Sequence, residues 1–201
     1  MARLALSKSE LSRQTRQLKT YERFLPSLDL KRKQLMAERA RARKRLADTE
    51  QLIVDLQQRV RERLPMLCNR EVDLAGLVQL QRVDLAQENL VGVLLPVVRK
   101  VHLKVREYGL LAKPHWVDNV VEELSESLRL RIQRDVERRR VALLEEAVRK
   151  VTQRVNLFDK VLIPRTRNNI QRIRIHLSDA ERAAVVRSKI AKGKRLKEGL
   201  A

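Results

Sequence analysis

Large aromatic rings are scarce in this chain of 201 residues: Trp116, Tyr21, Tyr108, Phe24 and Phe158 make up its 2%. A compact core of such a size leans on several large rings for buried area. Gly and Pro number five each, too few turn formers for a many-stranded β fold. Cys68 is the one cysteine, which excludes an internal disulfide and any cysteine-based zinc cluster. No apolar run approaches the ~18–20 residues that span a bilayer. The opening Met1-Ala2-Arg3-Leu4 carries no uncharged hydrophobic stretch, so no secretory leader is expected. These absences exclude a compact all-β or doubly wound α/β enzyme. They leave a cytosolic chain, or one held to a membrane only through partners.

What the chain does have is small apolar residues, 43% hydrophobic in all, set among 35% charged ones. That composition suits long helices with a narrow buried seam. Leu4, Leu11, Leu18 and Leu25 recur every seven residues, and after Arg32 and Arg39 the same phase resumes at Leu46, Ile53 and Val60. Tyr21, Leu28, Leu35, Ala42 and Leu56 are the companion positions of this a/d seam. Ser7 or Ser9, with Glu10 close behind, marks the helix start. A continuous helix from Ser9 to Arg63 is about 80 Å long. Pro26, which lacks an N–H, predicts a kink or local break in it.

A second long helix is expected from about Val117 to Lys192. Val141, Leu144, Val148, Val151, Val155, Phe158 and Leu162 step by three and four, and after Pro164 the seam moves over by one to Ile163, Ile170, Ile173, Leu177, Ala180 and Ala184. A proline and a one-residue slip at one place predict a bend or a changed partner face. Between the helices, Leu64–Trp116 holds most of the Gly and Pro. Its β-branched runs Val91–Leu95 and Val97–Val105 predict a short antiparallel pair. The expected fold is therefore mainly α: a long antiparallel two-helix coiled coil around a small middle head with a short helix and a β-hairpin. The segments are 1–63, 64–116 and 117–201.

The residues show no reaction chemistry. Gly193-Lys194 is followed by Arg195 in a basic tail, not by the Ser/Thr of a phosphate-binding loop. His102, His115 and His176 share no metal-ligand spacing. Glu122-Glu123 and Glu145-Glu146 are neighbours in sequence, and so face different ways on a helix. Ser125 and Ser127 lack a nucleophile's context. No cofactor, metal or catalytic residue is expected.

Charge is the remaining feature: 45 Lys and Arg against 25 Asp and Glu give a net +20. Lys31–Arg45 holds eight basic residues and one acid, Glu38; residues 165–201 hold eleven basic residues against Asp179, Glu181 and Glu198. Such density can neutralise phosphates, so a basic coiled-coil nucleic-acid binder stands as the alternative. Against it, no aromatics interleave for base stacking.

Arg154-Val155-Asn156 is followed by Ile163-Pro164-Arg165, Ile170, Ile173, Leu177, Glu181-Arg182, Arg187 and Lys189. Near the start, Ser9-Glu10-Leu11 leads to Lys31-Arg32 and Leu35-Met36. The middle has Glu88-Asn89-Leu90-Val91-Gly92-Val93 with Pro96, then Glu107-Tyr108-Gly109 with Leu111. In this order, over nearly the whole chain, these stretches resemble the D subunit of the V/A-type rotary ATPases, which is their central-stalk rotor component. The chain departs from that pattern at Lys33, where the family has an acid, and at Pro26, where it has plain helix. It departs again at Leu157-Phe158-Asp159, in place of the usual Ala-Leu-Glu. The resemblance implies a non-catalytic shaft inside a ring of catalytic A and B subunits. The small F subunit would dock on the shaft and the funnel-shaped C subunit would receive its far end. Turning would couple ATP synthesis or hydrolysis to ion transport at the cytoplasmic face of a membrane, with no insertion into it and no direct nucleic-acid contact. On the same ground Lys31, Arg32, Leu35, Met36, Arg154, Asn156, Pro164, Arg165, Arg187 and Lys189 are the residues expected to meet partners.

Overall fold

The computed structural model describes residues 4–68, 74–106 and 114–198. Helix α1 (Lys8–Arg63) is followed by a short 3₁₀ turn at Pro65–Cys68 and by two antiparallel strands, β1 (Val78–Leu90) and β2 (Val93–Val105). Helix α2 (Trp116–Asn156), a π-helical turn at Leu157–Leu162 and helix α3 (Ile163–Glu198) complete the chain. Glu107-Tyr108-Gly109 and Leu111 lie outside the described residues. Contacts divide the molecule into two compact units, Met1–Lys31 with Val151–Ala201 and Arg32–Lys150.

In the first unit, Ser7 caps α1: its Oγ accepts from the Glu10 amide at 3.2 Å. Helix α3 runs antiparallel to the start of α1, as Lys8–Glu181 (3.7 Å) and Glu22–Arg167 (2.7 Å) show by pairing a rising number with a falling one. Ile163, Thr166, Ile170 and Ile173 of α3 are buried, with Leu11, Leu18, Tyr21, Leu25 and Leu28 half-buried on α1. The helix continues through Pro26 without the expected break. Proline in a helix interior costs roughly 3 kcal/mol. The half-buried Tyr21, Leu25 and Leu28 around the proline return part of that through their apolar contact area.

The one-residue slip has a structural form. Buried Val151 and Val155 are followed by Ile163, eight positions on where a heptad would take seven. The π-turn at Leu157–Leu162 absorbs the extra residue, its Ile163 amide bonding to the Phe158 carbonyl five residues back. Ile163 therefore enters the seam while Leu162 stays half-buried.

In the second unit, Leu35, Ala42, Thr49, Ile53 and Leu56 of α1 are buried at heptad spacing, with Val141, Leu144 and Val148 on α2. Arg43 pairs with Glu145, Glu50 with Arg138 at 3.0 Å, and Arg59 with Glu126 at 3.5 Å, so here too the helices are antiparallel. These ion pairs are solvent-exposed and contribute about 0–1 kcal/mol each. The buried aliphatic seam outweighs them.

The head differs from its sequence reading. Val91–Leu95 and Val97–Val105 are not two paired strands but largely one, β2, with Pro96 inside it. The partner strand is β1, whose sequence VQLQRVDLAQENL alternates too weakly to stand out. Pairing runs from Val78↔Val105 to Leu90↔Val93, and Gln81 and Arg99 are left opposite no partner. Both strands are edges, and each carries one bulge that interrupts it as a template for further pairing. The hairpin base is anchored where Arg106 donates its amide to the Leu77 carbonyl at 2.8 Å. Leu77 itself is buried with Val117 and Val121 against Leu74, Val78 and Trp116.

Candidate partner surfaces of the coil

Polar residues also sit inside the seam. In the first unit Glu10, Gln14 and Thr166 are buried among aliphatic neighbours. Gln14 donates to the Glu10 carboxylate at 2.7 Å and Arg13 at 2.9 Å. These two donors, Gln14 foremost, hold the Glu10 carboxyl below its ordinary range against the opposing pull of burial. In the second unit, buried Thr49 donates to Glu137 at 2.8 Å. Thr49–Glu137 joins opposing helices, so a slipped register would leave buried Thr49 without its acceptor. The Glu10 and Thr166 bonds instead stay within their own helices, Thr166 donating to the Leu162 carbonyl at 2.7 Å.

Outside the seam, the residues expected to meet partners fall into separate groups. Leu35 is wholly enclosed in the seam and offers no surface, whereas neighbouring Met36 is 43% exposed. Lys31 and Arg32 are half-buried along the flank of α1. Arg154 and Asn156 are exposed just before the π-turn, and Pro164 and Arg165 are exposed just after it. Between those pairs the π-turn turns Leu157 and Val161 outward, 47% and 49% exposed.

Arg187 and Lys189 lie on a different kind of surface. Helix α1 begins at Lys8, opposite Glu181, yet α3 continues to Glu198. From Arg182 to Arg195 every residue is exposed. This stretch carries Arg182, Arg187, Lys189, Lys192, Lys194 and Arg195, no acid, and exposed Val185, Val186 and Ile190. It is a single cationic helix with no neighbour from α1.

Three features were not anticipated from the residues. Part of the basic run on α1 is engaged within the coil, Arg41 with Glu38 and Arg43 with Glu145. Arg140 of α2 clasps the hairpin, donating to the Pro96 carbonyl at 3.1 Å and the Glu88 carboxylate at 3.0 Å. On the hairpin, Asp84 lies 3.0 Å from the His102 ring and 2.6 Å from Arg82, contacts that in that order hold its carboxyl below the ordinary range. Most of these contacts join residues distant in sequence or across strands, so the local sequence carries no signal of them.

Among the described residues, no group of three or more His, Cys, Asp or Glu is placed to hold a metal ion. No helix among them is long and apolar enough to cross a membrane.

Comparison with known proteins agrees with this architecture. The chain is 32% identical to the V-type ATP synthase D subunit of Borreliella burgdorferi, over 98% of both chains. It is 33% identical to the protein of that name from Chlamydia pneumoniae, over 94% of this chain and 91% of that one. With the Chlamydia muridarum protein it shares 31% identity over 96% of each. The family profile of the ATP synthase D subunit matches residues 10–193, so a helix–hairpin–helix chain with antiparallel seams and two helix-borne signatures belongs to the ATP synthase D-subunit family.

Proposed function

We propose that this chain is the non-catalytic rotor shaft of a V-type ATP synthase, carrying torque between an A/B ring and the membrane ion-translocating ring. The observation that carries this reading is the pairing of the first and last helices of one chain in antiparallel sense, through buried heptad layers. Two helices locked by interdigitated side chains resist twisting better than either alone. The three segments 1–63, 64–116 and 117–201 then act as ascending helix, head and returning helix. The cationic extension beyond Glu181, with Arg187 and Lys189, and the groups at Lys31, Arg32 and Met36 and at Arg154, Asn156, Pro164 and Arg165 are the surfaces for the ring and for the F subunit. The far end is received by the C subunit, with the complex at the cytoplasmic face of its membrane. A basic coiled-coil nucleic-acid binder of the zipper type needs parallel helices from two chains forking across a groove, and pairing within one chain argues against it.

The test is recovery of a tagged full-length chain from its host. The A, B, F and C subunits are expected with it, and Arg187→Glu with Lys189→Glu is expected to lower A and B recovery or coupled turnover about tenfold with the melting temperature unchanged. Nucleic acid without ATPase subunits, lost at high salt, would overturn the assignment.

A further inference from the structure

Two irregularities, one in each helix of the first unit, lie at the same level of the coil. Glu22 meets Arg167 at 2.7 Å. Counting along the antiparallel helices from the Glu22–Arg167 and Tyr21–Phe158 contacts brackets Pro26 at the level of the π-turn. Pro26 leaves the Glu22 carbonyl without its helical donor, and Pro164 removes a second donor on the opposite helix. The π-turn itself holds no buried residue, and a six-residue π segment is a rare state of a helix. On α1 no residue between Gln14 and Leu35 is fully buried, so the seam is also loosest here. Near this level the rings of Tyr21 and Phe158 also join the helices, meeting edge to face with centroids 5.4 Å apart and planes at 90°.

We infer that Pro26 and the π-turn Leu157–Leu162 form one hinge, a level at which both helices yield together while the Tyr21–Phe158 contact holds them in register. The hinge requires only the coil, whatever the coil is coupled to. Missing donors in both strands of a two-helix rod lower the resistance to bending more than either alone, since an intact partner would splint a single defect. The extra residue stores slack: a π-turn returns to α-geometry by shifting the seam one position, which is a small, reversible repacking.

Residue-resolved hydrogen exchange on the intact chain tests this. Amides of Arg23–Leu30 and of Leu157–Leu162 are expected to exchange at least ~100-fold faster than those of Leu35–Thr49, Val141–Val151 and Ile170–Ile173. Pro26→Ala returns a donor to Glu22 and is expected to slow exchange about tenfold at its own level and, across the interface, in Leu157–Leu162. Deletion of the exposed Lys160 resets the spacing from Val155 to Ile163 to seven and should slow both segments likewise. If the π-turn amides are as protected as Val141–Val151, there is no hinge. If each change protects only its own helix, the two irregularities are independent and the single hinge is wrong.

Discussion

Val91 holds a backbone conformation that its side chain resists. Its φ is 53°, and with Gly92 at 78° it forms the two-residue turn between β1 and β2. A turn with two positive φ values matches the twist of an antiparallel pair, and Asn or Asp before Gly is the usual solution. A β-branched residue in this region costs roughly 1–2 kcal/mol. Part of that is offset locally, since the Asn89 side chain accepts from the Gly92 amide at 2.9 Å. Val91→Asn is therefore expected to stabilise the protein by about 1 kcal/mol and to raise the melting temperature by roughly 2–4 °C. A scanning calorimeter decides it; an unchanged or lower midpoint would mean that Val91 packs well enough to outweigh its strain.

The hairpin is attached at both ends but by different forces. Its base is apolar, Leu77 against Val117 and Val121, and indifferent to salt. Its outer part is clasped by Arg140, whose bonds to Pro96 and Glu88 are charge-assisted and worth about 2 kcal/mol together. Arg140→Ala is expected to speed amide exchange along Leu85–Val98 several-fold while leaving the α1 and α2 seam amides unchanged; uniform acceleration would show that the clasp supports the whole unit instead. The helices were legible in the residues because heptad spacing is a local signal, and Leu35, Ala42, Ile53, Leu144 and Ile173 are buried as their spacing requires. The slip at Leu162/Ile163 was legible too, though whether a bend or a π-turn would absorb it depends on backbone bonding that spacing does not encode. Strand β1 was missed because none of its residues is buried and so it keeps a mixed polar sequence. The Arg140 clasp joins positions 44 and 52 apart in sequence, and nothing in the local sequence of Arg140 marks it off from its arginine neighbours. The partner surfaces proposed above rest on resemblance alone, because an exposed Arg187 obeys no packing rule.

At the scale of the whole molecule, a net charge of +20 makes acid the direction of weakness. Glu10, Asp84 and Glu146 all have carboxyls held below their ordinary values of 4.5, 3.8 and 4.5, Glu146 mainly by Lys150. A lowered folded-state value stabilises above the unfolded value, and the contribution vanishes as pH falls through the folded one. The melting temperature is expected to hold from pH 7 to about 5 and to drop steeply below about 4, as protonation also adds to self-repulsion. A midpoint that rises on acidification would contradict it. The antiparallel pairing also orders the chain in time. Thr49–Glu137 spans 88 residues, Arg43–Glu145 spans 102 and Glu22–Arg167 spans 145. Each later pairing is one short step once the previous one has closed, but a long loop closure without it. Folding therefore zips outward from the hairpin. During synthesis α1 leaves the ribosome with its stripe of leucines uncovered, and its first turns must wait for residues as far on as Glu181, the partner of Lys8, before that stripe finds its mate.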